Sequence, residues 1–423
     1  MKQLLVFSLL GLLLAAACKT PLGTAAKSPV EDVLQTALRN LQSDPVCREV
    51  LARAEQYEVQ ILYTQINRDK SGNPQFTQFQ YRFDSTHYFY PASTVKMPLA
   101  LLALEKINRL HPSHQLLSRE TPYRLDSLRP WQQRYDSDPT APNGKPSIAH
   151  DVRQIFVVSD NLAYNHLFEF LGREEINNNL RAKGYTRTGI VHRFNFPGRD
   201  NRFDSPITFY TPTVGIYKQG ERMNRAEWPN PQKQLLKGTA HFNAADSLEE
   251  RPMDFGGKNW FSLGDMEKMI RAIYFPESLP PAQRFNLTEE DYRFVRHYMG
   301  IYPRECDFPK YDSSYYDGYV KFFLYGDSKK PGADKVRVFN KVGEAYGTLS
   351  DAAYIVDFEK NVEFILCATI LCNNDGTFND DRYDYDKIGF PFLAKLGRAV
   401  YELECKRPRA VQPDLSRLYE VLK

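Results

Sequence analysis

The chain has 423 residues, and 55 Lys and Arg against 52 Asp and Glu leave a net charge of only +3. Such a balance gives no argument for binding nucleic acid or an anionic surface. Aromatic residues make up 13% of the sequence, which excludes disorder over most of its length, and the length alone leaves room for two or three domains.

At the N-terminus, Met1-Lys2 is a short basic start, residues 4–14 are an apolar run and Ala15-Ala16-Ala17 are small. The pattern predicts a secretory signal peptide over residues 1–17, too short to span a bilayer. Cys18 follows directly, and the site resembles a bacterial lipoprotein box, which implies lipidation at Cys18. Residues 18–50 then read as a polar tether, to about Pro29, and a first helix. The expectation is an exported protein held at a membrane by its lipid, facing the periplasm or cell-wall compartment. Besides Cys18 the cysteines are Cys47, Cys306, Cys367, Cys372 and Cys405. An odd number cannot all pair within one chain. Cys367 and Cys372 would point to opposite faces of one strand, which argues against a bridge between them. No spacing suggests a metal site, no cofactor is implied, and the scattered His192, His241 and His297 read as structural or surface residues.

Residues 90–104 carry the first chemical signal, Ser93-Thr94-Val95-Lys96, just ahead of an almost wholly apolar run. A helix starting near Ser93 puts its hydroxyl and the Lys96 amine on one face, one turn apart. A serine hydroxyl becomes a nucleophile when a neighbouring base takes its proton, and a desolvated lysine can be that base. The competing reading is a helix-capping serine followed by a surface lysine; no other serine here has a lysine three residues later. Ser159-Asp160-Asn161 next places a hydroxyl and an amide two residues apart, pointing the same way from an extended or loop backbone. Residues 200–260 mix a strand over Ile207-Thr208-Phe209-Tyr210 with turns rich in Pro and Asn. A second insertion, within 303–335, is dense in aromatics from Tyr311 to Tyr325. Both are expected either at the mouth of a cleft or on the far surface. Phe339-Asn340-Lys341-Val342-Gly343 then opens a set of adjacent antiparallel strands, carrying a lysine and a glycine suited to close approach. Residues 406–423 read as a solvated tail.

The order Ser-x-x-Lys, Ser-Asp-Asn, Lys-x-Gly resembles the penicillin-recognising serine enzymes, most closely the class A β-lactamase-like family. Residues 61–63 and 76–83, joined by a turn at Ser71-Gly72-Asn73, resemble that family's opening hairpin. Leu171-Gly172, Lys183-Gly184-Tyr185 and the helix at 264–273 continue the match, which covers about residues 55–200 and 260–400. The resemblance implies an α/β (α+β) fold over residues 51–405: an antiparallel sheet flanked by helices, plus a helical lobe, with the nucleophile helix between them. It implies Ser93 as the acylated nucleophile, Lys96 as base or relay, and Ser159 as the group passing a proton to the leaving amine. Asn161 would bind the substrate amide, Lys341 would attract a substrate carboxylate beside Gly343, and the backbone N–H groups of Ser93 and Glu344 would form the oxyanion hole.

Two departures qualify what the resemblance implies. Val342 replaces the hydroxyl residue that normally helps hold the substrate carboxylate. Asn195 stands where a glutamate would activate the deacylating water, and an amide cannot accept that proton at neutral pH. Glu174 and Glu175 read as the start of a helix, and Asp200 is a possible substitute. The partner is then a small-molecule or peptide amide, a β-lactam or a cell-wall peptide. A D-amino-acid peptidase or esterase, or a non-catalytic lipoprotein keeping the fold, are the alternatives.

Overall fold

The structure is a computed structural model that describes residues 33–195 and 200–423. The expected signal peptide, Cys18 and the tether lie outside the described residues. Among the described residues no helix is long and apolar enough to cross a membrane.

Residues 60–81 and 336–371 are rich in β-branched and aromatic side chains, and they build one antiparallel sheet. Its strands are β1 (Gln60–Arg68), β2 (Pro74–Tyr81), β3 (Val336–Ala345), β4 (Thr348–Asp357) and β5 (Val362–Leu371), in the spatial order β3-β4-β5-β1-β2. The hairpin expected around Ser71-Gly72-Asn73 joins β1 to β2. The helices are α1 (Val33–Leu41), α2 (Pro45–Ala52), α3 (Lys96–Leu110), α4 (Ile148–Val157), α5 (Asn161–Leu171), α6 (Arg173–Ala182), α7 (Leu263–Tyr274), α8 (Glu289–Gly300), α9 (Phe390–Lys406) and α10 (Ser416–Val421).

Successive strand residues leave opposite faces of the sheet, so it separates two cores. Leu62, Phe339, Tyr354 and Ile365 face α7 and α8 and belong to one core with α3 and α5. Ile61, Val338, Val342, Ile355 and Leu366 face α1, α2 and α9. Cys367 belongs to the first core and Cys372 to the second, as opposite faces require. All five described cysteines are free. The first half of helix α3, residues 97–104, is apolar on every side and lies inside the first core, which is why even its first residue, Lys96, is fully buried.

Strand β3 is an edge of the sheet, and its open side is covered by the 3₁₀ turn Ala92–Val95 that carries Ser93. Glycine is required at Gly343. A Cβ there would stand 2.4 Å from the Pro91 carbonyl oxygen and 2.8 Å from Ser350 Oγ.

The insertions have different fates. Strand Ile207–Tyr210, at the expected place, pairs with Tyr123–Leu125 and Gly215–Gln219 beside the helical lobe. Ala240–Phe242 pairs with Leu248–Glu249 and, in parallel, with Thr377–Phe378, so this part arches over the end of the sheet. In the 303–335 insertion Phe322, Phe323 and Leu324 enter the second core.

Residues 406–423, expected as a solvated tail, are instead folded onto the body. Glu404 is fully buried, and a carboxylate there must find cations. Arg407 Nε donates to it at 2.9 Å, Arg409 Nη2 donates as well, and Arg407 also reaches the Ile66 carbonyl at 3.0 Å. Leu415 enters the first core, and His297 Nδ1 donates to the Val421 carbonyl at 2.7 Å. Basic residues and prolines made this stretch look solvated, but Arg407 and Arg409 are turned inward.

Cutting the chain after Lys406 should cost about 3–5 kcal/mol, because Glu404 stays buried without either guanidinium; a lower urea midpoint would show it, and an unchanged one would make the tail dispensable. Gly343→Ala should cost about 1–3 kcal/mol by overpacking against backbone, read in the same melt.

Candidate active site

Backbone strain marks the site before any side chain does. Ala92, Ser159 and Asn195 all adopt left-handed backbone, with φ of 45°, 62° and 49°. Such conformations cost about 1–3 kcal/mol each for ordinary residues and persist where the surroundings dictate them. Thr94 fixes the turn by bonding the Pro91 carbonyl through both its N–H, at 3.1 Å, and its hydroxyl, at 2.7 Å. Ser93 and Lys96 therefore share one side of the junction between turn and helix.

The Lys96 amine spans the gap to the next motif. Its Nζ donates to the Ser159 carbonyl at 2.5 Å, to Asn161 Oδ1 at 2.7 Å and to Ser159 Oγ at 3.3 Å. Asp160 caps α5 by accepting the Ala163 N–H at 2.8 Å, which holds the serine and the asparagine on either side of it. Lys341, on β3, donates to Ser159 Oγ at 2.7 Å and to the Val342 carbonyl at 3.0 Å. Ser159 Oγ thus accepts from both amines, and its own O–H is left to donate outward. Asn161 spends its oxygen on Lys96, so its Nδ2 is the group turned to a ligand.

Burial sets the electrostatics. It holds the Lys96 amine down to about 7, partly opposed by Asp160. Lys341 is held well below the ordinary lysine value by burial and then by Lys96 beside it. Beneath β3 lies a second buried layer. Lys321, from the 303–335 insertion, donates to Asn340 Oδ1 at 2.9 Å and to the Met299 carbonyl at 2.5 Å. Asn340 Nδ2 in turn donates to Asp351 at 2.7 Å. This layer fixes the strand from which Lys341 reaches Ser159.

Above the lysines opens a cavity of about 1420 Å³. Of the residues singled out in the sequence, Ser93, Asn161, Asn195 and Glu344 line it. Lys96, Ser159 and Lys341 form the buried polar cluster at its base, and Gly343 is the contact that brings β3 to the Ser93 turn. Val342 turns into the second core and offers the cavity nothing. Asn195 is presented from a tightly held loop. Arg193 pairs with Glu169 at 2.8 Å and Asp204 at 2.9 Å, and Asn165 bonds both the N–H and the carbonyl of Phe194 at 2.9 Å. None of the other acids considered reaches the cavity. Asp200 is paired with Arg202 at 2.7 Å, Glu175 with Lys106 at 2.7 Å, and Glu174 accepts the Ala226 N–H at 2.8 Å.

Sequence reasoning missed most of the wall. Tyr90 and Tyr346 meet edge to face at 5.0 Å, and the Lys96 Nζ lies 5.2 Å from the Phe194 ring centre. His192 and His241, which looked scattered, both line the cavity. Burial holds His192 down to about 4, so it is a neutral wall residue. Its Nδ1 donates to the Arg193 carbonyl at 2.8 Å. A histidine in the Asn195 loop, three residues before it, was the available signal.

Comparison with known proteins bears on the family to which the chain belongs. The model of the beta-lactamase enzyme family matches residues 46–289, more than half of the chain, including Ser93, Lys96, Ser159, Asn161 and Asn195 but ending before Lys341. No curated protein matches. Among solved structures, a β-lactamase from Sphaerobacter thermophilus is 14% identical, with 89% of this chain and 98% of that one covered at a TM-score of 0.46. A β-lactamase from Xanthomonas campestris pv. campestris is 15% identical, with 88% and 97% covered at 0.46. PBP-A is 14% identical, with 89% and 97% covered at 0.48. On the family match, the chain belongs to the beta-lactamase enzyme family of serine hydrolases.

Proposed function

We propose that the protein is an acyl-transfer hydrolase that forms an ester at Ser93 with the acyl part of an amide or ester substrate. The observation that carries the reading is Ser159 Oγ held between Lys96 and Lys341, with Ser93 and Asn161 at the same cavity. In this reading Ser93 Oγ attacks the acyl carbon while its proton passes to the neutral Lys96 amine. The tetrahedral oxygen is held by the N–H groups of Ser93 and Glu344, a kind of contact worth about 2.7–4 kcal/mol per donor. The acyl C–N bond then breaks, and the departing amine takes its proton from Ser159, which is resupplied by the lysines. Water finally attacks the ester and restores Ser93.

Hydrolysis is the weak half of this cycle. Asn195 can position water but cannot take its proton. A slow β-lactamase and a D-amino-acid peptidase or esterase share the acylation step and differ in what happens next. The meeting of Lys96 and Lys341 on one hydroxyl, Ser159 Oγ, beside the cavity that Ser93 lines speaks against a module that only keeps the fold. Export and a lipid anchor at Cys18 belong to the proposal on the strength of the leader pattern alone.

Intact-mass measurement with a penicillin tests the acyl-enzyme. Wild type should gain one drug mass and keep it for long, and Ser93→Ala should gain none; an equal adduct on the variant would sink the reading. Asn195→Glu should shorten the life of the adduct by about 10²–10⁴-fold, the range of a positioned general base. Acylation should rise with pH and level off above about 7, because the base form of Lys96 appears as its amine loses a proton there. A rate independent of pH between 5 and 9 would remove Lys96 from that role.

A further inference from the structure

The cavity is larger than the reacting amide needs. Its volume of about 1420 Å³ exceeds the roughly 300–1,000 Å³ of an ordinary small-molecule site. Segments within 241–258 and 379–385 supply much of its wall, whereas Ser159 and Lys341 do not line it. The leaving amine takes its proton at Ser159, so this space belongs to the part of the substrate that stays on Ser93.

One charge on the wall has no counterpart. Arg193 is held by Glu169 and Asp204, and Arg251 by Glu249 at 2.6 Å. Lys258 meets no carboxylate among the described residues. Its amine donates to the Tyr346 hydroxyl at 3.4 Å and lies 5.4 Å from the centre of that ring. Tyr346 stands edge to face on Tyr90 at 5.0 Å, and Tyr90 leads into the turn that carries Ser93. The backbone behind Lys258 is pinned to the segment that leads to Asn195. The buried Asn259 accepts the Val191 and His192 N–H groups at 2.7 and 3.1 Å, and its own carbonyl accepts the Tyr88 hydroxyl at 3.1 Å. Lys258 is thus a cation on a rigid wall, between the Asn195 loop and the tip of the β3–β4 hairpin.

The acids that line the cavity are engaged elsewhere. Glu249 holds Arg251, and Asp254 accepts the Gly256 N–H at 2.7 Å. Burial and Asp386 raise Glu344 to about 6, and burial and then Glu344 hold the Tyr385 phenol above its ordinary value, so Glu344 belongs to the Tyr385 end of the wall. Asp381 is at that end too, where burial and then Asp380 and Asp381 hold up the Tyr383 phenol. A lysine amine beside a phenol, free of carboxylates and facing a ligand cavity, is suited to receive a carboxylate from that ligand.

We infer that Lys258 selects the acyl part of the substrate: the cavity takes acyl donors that carry a carboxylate at the far end of the retained part, set off from the scissile bond. The inference rests on the acyl-enzyme reading above. The step is the same acylation, in which the bond from Ser93 Oγ to the acyl carbon forms, the C–N bond breaks and the nitrogen takes its proton through Ser159. The carboxylate takes no part in it and holds the acyl part in place.

Penicillins built on one aminopenicillanic acid nucleus test this. The side chain is a straight acyl chain ending in a carboxylate, a carboxamide or an ammonium, made over a series of methylene lengths. The β-lactam, its own carboxylate and the bond that breaks are the same throughout. The readout is the second-order rate constant of adduct formation on Ser93, by intact mass, at about pH 8, where the Lys96 amine is a base. At the best-fitting length the carboxylate chain should react on the order of tenfold faster than the carboxamide, and the ammonium more slowly than either, as a partly screened ion pair gives. Added salt should shrink the preference. Lys258→Met should bring the three chain ends together, and Lys258→Arg should keep their order. If wild type shows no preference for the carboxylate at any length, or Lys258→Met keeps the preference in full, the assignment falls and the acyl-enzyme stands. If no penicillin of the series adds to Ser93 in a protein that is folded by circular dichroism, the acyl-enzyme reading fails and takes this inference with it.

Discussion

The amine of Lys96 has no water to turn to. Helix α3 must be buried for the first core to exist, and its N-terminal lysine is carried inside with it. A buried amine has to spend its hydrogens on protein acceptors, and the acceptors within reach are the Ser159 carbonyl, the Ser159 hydroxyl and Asn161. Two segments 63 residues apart are tied together by that need. The left-handed turn at Ser159, the Asp160 cap and the reach of Lys341 from the sheet all follow as ways to keep the acceptors in place. The same desolvation that demands these bonds also makes the amine a base near neutrality, so the requirement of stability and the requirement of chemistry have one origin.

Recognition is distributed differently from chemistry. The polar cluster at the base of the cavity comes from the helical lobe and one edge strand, whereas much of the wall comes from segments with no periodic pattern. Ala240–Phe242 is fastened to Thr377–Phe378, and Asn379 Nδ2 reinforces the joint by donating to the Phe242 carbonyl at 2.9 Å. A rigid reactive base under an irregular roof is the arrangement in which loops carry selectivity on a fixed scaffold.

What could be read from the sequence follows the range of the interactions. The opening hairpin, the α3 junction, the Ser159 turn and the strand of Lys341 are local patterns, with alternation or a fixed offset, and each stands where it was expected. The two faces of the sheet could also be read, since Cys367 and Cys372 fall in different cores. Residues 406–423 could not, because the partner that draws Arg407 and Arg409 inward is a carboxylate made visible only by burial in α9. His192 and His241 meet at one cavity although 49 residues separate them (241 − 192), and no spacing rule joins them. Val342 was legible as a missing hydroxyl, while its burial, and the exposed Glu344 two positions on, needed the register of β3.

The turn that carries Ser93 does one more thing. An unpaired strand edge is a template on which a second molecule can add its own strand. Here the β3 edge is closed by Ala92–Val95, pressed against Gly343 with no room for a methyl group between them. Any change that loosens the reactive turn therefore also uncovers a sticky border of the sheet. For this protein, keeping the nucleophile in place and keeping copies of the molecule apart are the same task.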